Sequence, residues 1–296
     1  MEEKKQLKLS QEELDKELAL VELIAIDLDG TLLNGKKEVT DANKKAILMA
    51  KEEGIHIVIC SGRPLQGVTT LLEELELMED KDLVITYNGG LIQETVSGRV
   101  WSRQGLSYDE VAELIDLAEK IELPLVVLDE ENGYQFDTAK GKKSDYLQMM
   151  PVFDYEVKEL KDFRRDHHFC KALLAYELDE LDQAIAKIPA EMKEKYNMFK
   201  SRQSLFEMVP KTVDKGQALR NLSRLLDMPL SKMMAIGDQS NDLPMLRVCG
   251  FPVAMANGIS EVKAVAKLTT GDNEHSGVAQ VIQQVIGARR KKDGII

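Results

Sequence analysis

Apolar runs alternate with helical patterns along this chain, and that alternation limits the folds available to it. Between the first two runs, the segment TDANKKAILMAKEEG places Ala46, Ile47 and Ala50 on one helical face and ends at Gly54. A strand, a helix and a second strand in this order are typical of the βαβ unit of a parallel sheet. The predicted core strands are VELIAID (21–27), IHIVICS (55–61), DLVITYN (82–88), KMMAIGD (232–238) and FPVAMAN (251–257).

The five runs fall into two groups, and the long segment between them has its own strand and helix patterns. LPLVVLDE, GYQFDTA and FCKALLAYEL predict strands, while SYDEVAELIDLAEKI and LDELDQAIAKI predict helices. A chain of 296 residues also exceeds the usual size of one domain. We therefore predict an α/β protein with a Rossmann-like parallel core formed by residues 21–89 and 205–296, and a second α/β domain inserted at 90–204.

The first 20 residues are predicted to be a charged N-terminal extension. Ser10 and Glu13 have the spacing of a capping box, so a short solvated helix is expected there. The extension lacks the uninterrupted apolar segment of a signal peptide, and no later run reaches membrane-spanning length. We therefore predict a cytoplasmic protein without a membrane partner.

Charge and cysteine content exclude several other classes of site. The chain has 39 Lys and Arg against 51 Asp and Glu, a formal net charge of −12, which opposes binding to a nucleic acid backbone. Cys60, Cys170 and Cys249 are widely spaced and form no CxxC pair. The sequence therefore predicts reduced, packed thiols rather than a disulfide framework or a thiolate zinc site.

Polar residues follow three of the predicted core strands. Asp27 and Asp29 end the first, Ser61 ends the second, and the fourth runs into GDQSND, which contains Asp238. The carboxyl ends of parallel strands meet in one crevice, where open α/β sheets bind ligands. Buried carboxylates repel each other unless a cation compensates them, and hard oxygen ligands suit Mg²⁺. We predict a Mg²⁺ ion shared by Asp27 and Asp238, with Lys215 as a nearby compact positive charge.

These residues also resemble a known family. DLDGTLL, SGRP, the lysine of DKGQAL and GDQSND stand in the order of the four motifs of the haloacid dehalogenase-like hydrolases. More narrowly, the chain resembles the Cof-type phosphatases, whose α/β cap domain is inserted between the second and third motifs; VITYNGGLI and HSGVA are similar as well. AMANG departs from the usual Met-Gly-Asn. The resemblance implies a Mg²⁺-dependent phosphatase whose partner is a small phosphorylated metabolite such as a sugar phosphate.

The resemblance further implies a role for each motif residue. Asp27 would be the nucleophile that forms an aspartyl phosphate, and Asp29 would act as general acid and then as general base. The metal ion would be held by the Asp27 carboxylate, the Asp29 backbone carbonyl and the Asp238 carboxylate. The substrate phosphate would be bound by Ser61, Lys215, Asn241 and the Leu28 and Gly62 amides. Asp242 and Thr31 would contact these site residues without binding the substrate or the metal ion themselves.

Other functions and other roles remain open at this point. A phosphomutase of the same fold would return the phosphoryl group to a sugar and would need a bisphosphate. A non-enzymatic phosphometabolite sensor would show no turnover, although no catalytic position is missing, and a dehalogenase would not need Asp29. Taken alone, Ser61 could merely cap the following helix, and Lys215 could be a solvated surface lysine.

Overall fold

The computed structural model describes residues 10–295, so residues 1–9 of the predicted extension lie outside the described part. The first elements are α1 (Gln11–Leu18), β1 (Leu23–Asp27), α2 (Asp41–Glu52), β2 (His56–Cys60), α3 (Thr69–Glu74), β3 (Leu83–Thr86), β4 (Leu91–Glu94) and β5 (Val100–Arg103). The middle of the chain forms α4 (Tyr108–Lys120), β6 (Leu125–Leu128), β7 (Gly133–Phe136), α5 (Tyr146–Met149), β8 (Tyr155–Val157), β9 (Lys171–Ala175), α6 (Leu178–Ala186), α7 (Ala190–Lys195), β10 (Tyr196–Arg202) and β11 (Leu205–Pro210). The last elements are α8 (Lys215–Leu225), β12 (Met233–Gly237), α9 (Leu243–Val248), β13 (Phe251–Ala254), α10 (Ser260–Val265), β14 (Leu268–Thr269) and α11 (Gly277–Lys292).

The larger of two compact units, residues 1–102 and 214–296, is built on an eight-stranded sheet. Its strand order is β14-β13-β12-β1-β2-β3-β4-β5. The strands from β14 to β3 pair in parallel, and β4 pairs antiparallel with β3. The prediction of a mostly parallel α/β core with these five strands is confirmed, whereas β4, β5 and β14 were not predicted.

Helices cover both faces of this sheet. Ile24 and Ile26 of β1 belong to a core that includes residues of α2 and α11, while Leu23 and Ala25 point to a second core with residues of α8, α9 and α10. Every residue of β1 is buried, which explains the continuous apolar run in the sequence. β1 lies between β12 and β2 and pairs with both, and its last residue, Asp27, pairs with Cys60 of β2.

The smaller unit, residues 103–213, has a six-stranded sheet in the order β10-β11-β9-β6-β7-β8. Its pairs are antiparallel except for β7 with β8, and α4 and α6 pack on one face. The sequence had placed this insertion at 90–204. The structure divides the chain later at both ends, because β4 joins the core sheet beside β3 while β11 pairs with β9 in the smaller sheet.

Helix α1 has the capping box that the sequence indicates, with Ser10 and Glu13 bonded to each other's backbone amides. The expectation of a simply solvated helix is corrected, since Leu18 is fully buried and α1 packs against α11. An ion pair between Lys291 and Asp15 also joins the two helices. The described part of the extension is thus integrated into the larger unit.

Between residues 10 and 295, no helix is both long enough and apolar enough to cross a bilayer.

Candidate active site

A tight turn follows β1 and carries the DLDGT motif. The Leu28 carbonyl accepts hydrogen bonds from the backbone N–H groups of Thr31, Leu32 and Leu33. Gly30 adopts a φ of +87°, and a Cβ atom there would lie 2.5 Å from an Asp238 carboxylate oxygen. Glycine is therefore required both by the backbone conformation and by the close approach of the two segments.

Three buried carboxylates meet at the carboxyl ends of β1 and β12. Oxygen atoms of Asp27, Asp238 and Asp242 all lie within 4.8 Å of one another. The strands that deliver them are adjacent and parallel, with Ile26 opposite Ile236. The sequence predicted the juxtaposition of Asp27 and Asp238, and the structure adds Asp242 to this group.

Lys215 supplies the positive charge within this carboxylate group. It is the first residue of α8, which Asp214 caps by accepting the Gln217 N–H at 2.7 Å. Its Nζ atom donates to Asp27 Oδ1 and, at 2.7 Å, to Asp242 Oδ1. The Lys215 side chain is 0% exposed, so the alternative of a solvated surface lysine is excluded.

Close packing of two helices places Lys215 at this depth. A Cβ atom on the next residue, Gly216, would lie 2.4 Å from the Pro244 carbonyl oxygen of α9. A larger side chain would push the amino end of α8 away from α9. Glycine thus allows the helix to deliver its first side chain into the group of carboxylates.

Burial dominates the electrostatics of these groups. Loss of hydration and repulsion from Asp242 raise the pKa of Asp27 to about 8, despite the neighbouring Lys215. Burial also raises the pKa of Asp238 above its usual range. For Lys215, burial alone would lower the pKa, but the attraction of Asp242 and Asp27 outweighs it and holds the pKa above its ordinary value. The site therefore contains more negative charge than its one ammonium group compensates.

Asp242 and Thr31 hold the neighbouring groups in position. Asp242 Oδ2 accepts the backbone N–H groups of Asp238 (2.9 Å) and Gln239 (3.0 Å), while its Oδ1 faces Lys215. Both oxygens are thus engaged by donors of the protein. The Thr31 hydroxyl donates to Asp238 Oδ1 at 2.8 Å and is fully buried. Asp238 keeps lone pairs for a further ligand.

Asp29 points to a different set of partners. Its carboxylate accepts two bonds from Arg63 Nη2, at 2.8 and 3.0 Å, and one from Lys37 Nζ at 2.7 Å. Partial burial would raise the pKa of Asp29, but the bonds from Lys37 and Arg63 outweigh it and hold that pKa below its usual range. The side chain is 42% exposed, and it does not join the three buried carboxylates.

The other predicted phosphate ligands lie at the ends of neighbouring elements. Ser61 follows β2, which pairs with β1 so that Cys60 lies opposite Asp27, and its Oγ accepts the Arg63 N–H at 3.1 Å. Gly62 follows it, and a Cβ atom there would lie 2.9 Å from the Asn88 side chain. The hydroxyl of Ser61 thus supports the local turn. It does not cap the following helix, because neither the short helix Leu65–Gly67 nor α3 has a side-chain cap.

Leu28 and Asn241 occupy two further turns. Leu28 is fully buried and begins the turn after β1. Asn241 is half-buried in the short turn Ser240–Asp242, and its side chain forms no hydrogen bond with another residue of the described chain. The structure thus brings Asp27, Asp238 and Lys215 into one group, whereas the Asn241 side chain forms no hydrogen bond with them.

Two cations near Asp29 were not assigned by sequence reasoning. Arg63 lies in the SGRP motif, whose position after β2 is the signal that could have indicated its role. Lys37 lies in the loop between β1 and α2 and adopts a positive φ of 64°. No pattern in the sequence distinguishes it from the neighbouring Lys36.

Cysteine and histidine do not contribute to this group of side chains. Burial raises the pKa of Cys60 to about 12, which leaves a neutral thiol that is a poor nucleophile. His167 and His168 line a cavity of about 380 Å³ in the smaller unit, together with Asp129, to which the His167 ring is bonded at 3.2 Å. The chemistry of the larger unit therefore rests on carboxylate, ammonium and hydroxyl groups.

Comparisons with known proteins agree with this fold and this set of residues. Residues 24–282 match the family model of the haloacid dehalogenase-like hydrolases. The YxeH protein of Bacillus subtilis, a phosphatase by provisional assignment, is 36% identical over 91% of this chain and 100% of its own length. A second B. subtilis protein, the 5-amino-6-(5-phospho-D-ribitylamino)uracil phosphatase YwtE, is 29% identical over 90% of this chain and 98% of its own.

A solved structure leads to the same family. The haloacid dehalogenase-like hydrolase from Bacteroides thetaiotaomicron superposes with a TM-score of 0.77 at 29% identity, covering 90% of this chain and 99% of its own. The family match spans both segments of the core sheet, including the strands that carry Asp27 and Asp238. The protein therefore belongs to the haloacid dehalogenase-like hydrolases, within which it is a phosphatase of the Cof type.

Proposed function

We propose that the protein is a Mg²⁺-dependent phosphatase that hydrolyses small phosphorylated metabolites, with sugar phosphates as the substrate class, through an aspartyl phosphate on Asp27. The observation that carries this proposal is the buried group formed by Asp27, Asp238, Asp242 and Lys215. Its excess of negative charge calls for a cation, and its position at the carboxyl ends of β1 and β12 is where such sheets bind ligands.

The contacts of Asp27 support its role as nucleophile. Lys215 engages Oδ1, whereas Oδ2 accepts no hydrogen bond from any residue between 10 and 295. One oxygen is therefore fixed and the other remains available for attack. In the first half-reaction an Asp27 oxygen bonds to phosphorus while the bond from phosphorus to the ester oxygen breaks, and the leaving alkoxide takes a proton from Asp29 in its protonated form. Water then attacks the phosphorus of the aspartyl phosphate and gives a proton to Asp29, which restores that form. The bond from phosphorus to the Asp27 oxygen breaks in this step and releases inorganic phosphate and the free Asp27 carboxylate.

The available donors fit Mg²⁺. The Asp27 oxygen that does not attack phosphorus and the remaining lone pairs of Asp238 would be carboxylate donors, and the Asp29 backbone carbonyl would complete the protein's contribution. Asp242 is the poorer candidate ligand because its oxygens accept three bonds, from Lys215 and from the Asp238 and Gln239 amides, whereas those of Asp238 accept two. A bound Mg²⁺ would offset the repulsion between the Asp27 carboxylate and the phosphate.

The ion pairs of Asp29 fit a residue that changes its charge during the reaction. As an anion, Asp29 is attracted to Arg63 and Lys37, as the structure has it. Once protonated, it loses that attraction and is free to turn toward a leaving oxygen. We propose that Arg63 and Lys37 hold Asp29 between catalytic steps, while Ser61, Lys215, Asn241 and the Leu28 and Gly62 amides bind the phosphate.

The name of a relative supports the proposed substrate class. YwtE, by its name, removes phosphate from a ribityl chain, which is a phosphate monoester on a polyol. Sugar phosphates present the same type of ester. We propose that this chain acts on phosphorylated polyols and sugars, in the cytoplasm, where unpaired thiols such as its three buried cysteines are expected.

A substrate screen tests the proposal. Purified protein is incubated with sugar phosphates, phosphorylated polyols, sugar bisphosphates and p-nitrophenyl phosphate, with Mg²⁺ or with EDTA, and the substrates are ranked by kcat/KM. We expect release of phosphate from sugar phosphates only when Mg²⁺ is present, and none from an Asp27→Asn control. Full activity in EDTA would contradict the metal requirement, a bisphosphate requirement would favour a phosphomutase, and a lack of any turnover would favour a sensor.

A further inference from the structure

Three asparagine side chains converge on the turn that carries the DLDGT motif. Each donates a hydrogen bond from its side-chain amide nitrogen to a backbone carbonyl, and the three carbonyls lie within residues 30–33. The bonds run from Asn257 to Gly30 (2.7 Å), from Asn43 to Leu32 (3.3 Å) and from Asn273 to Leu33 (2.9 Å). These carbonyls lie beyond the end of β1, where the sheet is replaced by isolated bridges such as that of Leu33 with Val39, so side chains supply hydrogen bonds that a neighbouring strand would otherwise provide.

Two of these amides also accept hydrogen bonds from the chain near the carboxyl terminus. Asn257 Oδ1 accepts the Asn273 N–H at 3.1 Å, and Asn43 Oδ1 accepts the Ala279 N–H at 2.9 Å. A carboxamide can donate and accept over a short reach, which neither a carboxylate nor an ammonium group can do. The side chains therefore connect the turn after β1 with the loop after β14 and with the first turn of α11.

The turn so fixed is continuous with the metal-binding residues that we propose. Gly30 lies between Asp29 and Thr31, and the Thr31 hydroxyl donates to Asp238. The loop that carries Asn257 contacts Asp238 as well, because the Ile259 N–H donates to the Asp238 carbonyl at 3.0 Å. The loop that carries Asn257 thus contacts both the turn after β1 and the backbone of Asp238.

We propose that Asn257, Asn273 and Asn43 form an asparagine clamp that positions the turn after β1, and with it Asp27 and Asp29, for catalysis. The proposal rests on the proposed phosphatase function, since the clamp makes no contact with the reacting atoms and acts through backbone geometry. A misplacement of about 1 Å between reacting groups lowers turnover by about 10²-fold. The clamp should therefore contribute mainly to kcat, because, of the proposed phosphate ligands, only the Leu28 amide lies in this turn, whereas the others lie outside it.

The test uses the two accessible members of the clamp. Asn43 is fully buried, and its loss would leave the Leu32 carbonyl and the Ala279 N–H unpaired in the core, so it is not the first choice. Asn257 is exposed and Asn273 is half-buried, so alanine at either position should leave the fold intact. Asn221→Ala is the matched control, because Asn221 also donates its amide, to the Ser102 hydroxyl at 3.2 Å, but lies in α8 outside the clamp.

Two readouts separate positioning from general destabilisation. With p-nitrophenyl phosphate and saturating Mg²⁺, kcat should fall about 10- to 100-fold in Asn257→Ala and Asn273→Ala, while KM stays within about twofold. Hydrogen–deuterium exchange should become faster in peptides that cover residues 28–35 and stay unchanged in peptides from β13. The control should match the wild type in both measurements, and Tm should change little in any variant.

Asn257→Asp provides a second check, since it keeps the acceptor for the Asn273 N–H but loses the donor to the Gly30 carbonyl. It should show the same fall in kcat as Asn257→Ala. Wild-type kcat or wild-type exchange of the turn in the alanine variants would overturn the proposal. An inactive wild type would instead contradict the phosphatase function, and the exchange measurement would then still decide whether the asparagines hold the turn.

Discussion

Replacing Lys215 with methionine should leave two buried carboxylates without their cation. Methionine keeps the length and apolar stem of lysine but carries no charge. The side chains of Lys215 and Asp242 are 0% exposed, and that of Asp27 is 9% exposed, so water cannot replace the missing ammonium group. The pKa of Asp27 is already raised to about 8 in the wild type, so at neutral pH the pair in the variant should take up a second proton. Phosphatase activity should be lost because Lys215 no longer favours the charged form of Asp27, and a protonated Asp27 is neither a nucleophile nor a good metal ligand.

The burial of this group places the loss of stability in the range for broken internal ion pairs, about 3–5 kcal/mol. At about 2–4 °C per kcal/mol, Tm at pH 7 should fall by about 6–20 °C. The variant's carboxylate pair should bind one more proton than the wild-type pair. A carboxyl with a pKa that is higher in the folded than in the unfolded protein stabilises the fold at low pH and loses that effect as pH rises. Up to about 2.7 kcal/mol of the deficit should therefore disappear between pH 7 and pH 5.

Thermal unfolding at pH 5 and pH 7, with and without Mg²⁺, measures these effects. Mg²⁺ can replace the lost charge in Lys215→Met and should recover about 2.7 kcal/mol at a concentration of 100 Kd. Lys171→Met is the matched control, because Lys171 is buried in the smaller unit, which does not contain Asp27, and pairs with Glu207 at 2.9 Å. It should also lose stability, but Mg²⁺ should stabilise it only as much as the wild type, and less than Lys215→Met, in which the ion also replaces a lost charge. Wild-type stability of Lys215→Met at pH 7, or equal Mg²⁺ responses of the two variants, would refute the reasoning.

Three further substitutions separate the roles of the proposed catalytic carboxylates. Asp27→Asn should abolish turnover because an amide is a poor nucleophile. Mass spectrometry after a rapid acid quench should find no phosphoryl group on the peptide that contains residue 27 of this variant. Asp29→Asn should still be phosphorylated by p-nitrophenyl phosphate, which has a good leaving group. It should accumulate phosphoenzyme because the attack of water lacks its general base. If product forms but no phosphoenzyme is found in this variant or in the wild type, Asp27 is only a metal ligand. Asp238→Asn should raise the Mg²⁺ concentration for half-maximal activity at least tenfold, and an unchanged Mg²⁺ titration would remove Asp238 from the metal site.

The core strands could be predicted from the sequence because burial on both faces gives a continuous apolar run. All five residues of β1 and of β12 are buried, and both strands fall within predicted runs. Two of the strands that were not predicted, β14 and β5, have weaker patterns for physical reasons, whereas β4 is buried at three of its four positions. β14 is two residues long, and β5, at the sheet edge, alternates half-buried with exposed residues. Such strands form because of the strands with which they pair, and a local sequence pattern does not identify those partners.

The candidate site divides in a similar way. Asp27, Asp238 and Lys215 could be predicted because each lies in a motif at the end of a strand or the start of a helix. The ion pairs of Asp29 and the asparagine clamp could not. Asn257 is bonded to a backbone carbonyl 227 positions away, and a carbonyl leaves no trace in the sequence. The polar contacts that fix the turn therefore depend on tertiary structure.

The position of the smaller unit within the chain has a consequence for synthesis of the protein. β1 lies between β2 and β12, and Leu23 pairs with Met233, 210 positions later. At about 5–20 residues per second, the ribosome needs about 10–40 s to make the chain between them. The smaller unit is a continuous segment with its own core, so it can fold during that time, whereas β1 cannot complete its pairing. The strand that ends in Asp27 thus emerges early and keeps one unpaired edge until β12 has been made. Unpaired strand edges of this kind promote aggregation of nascent chains.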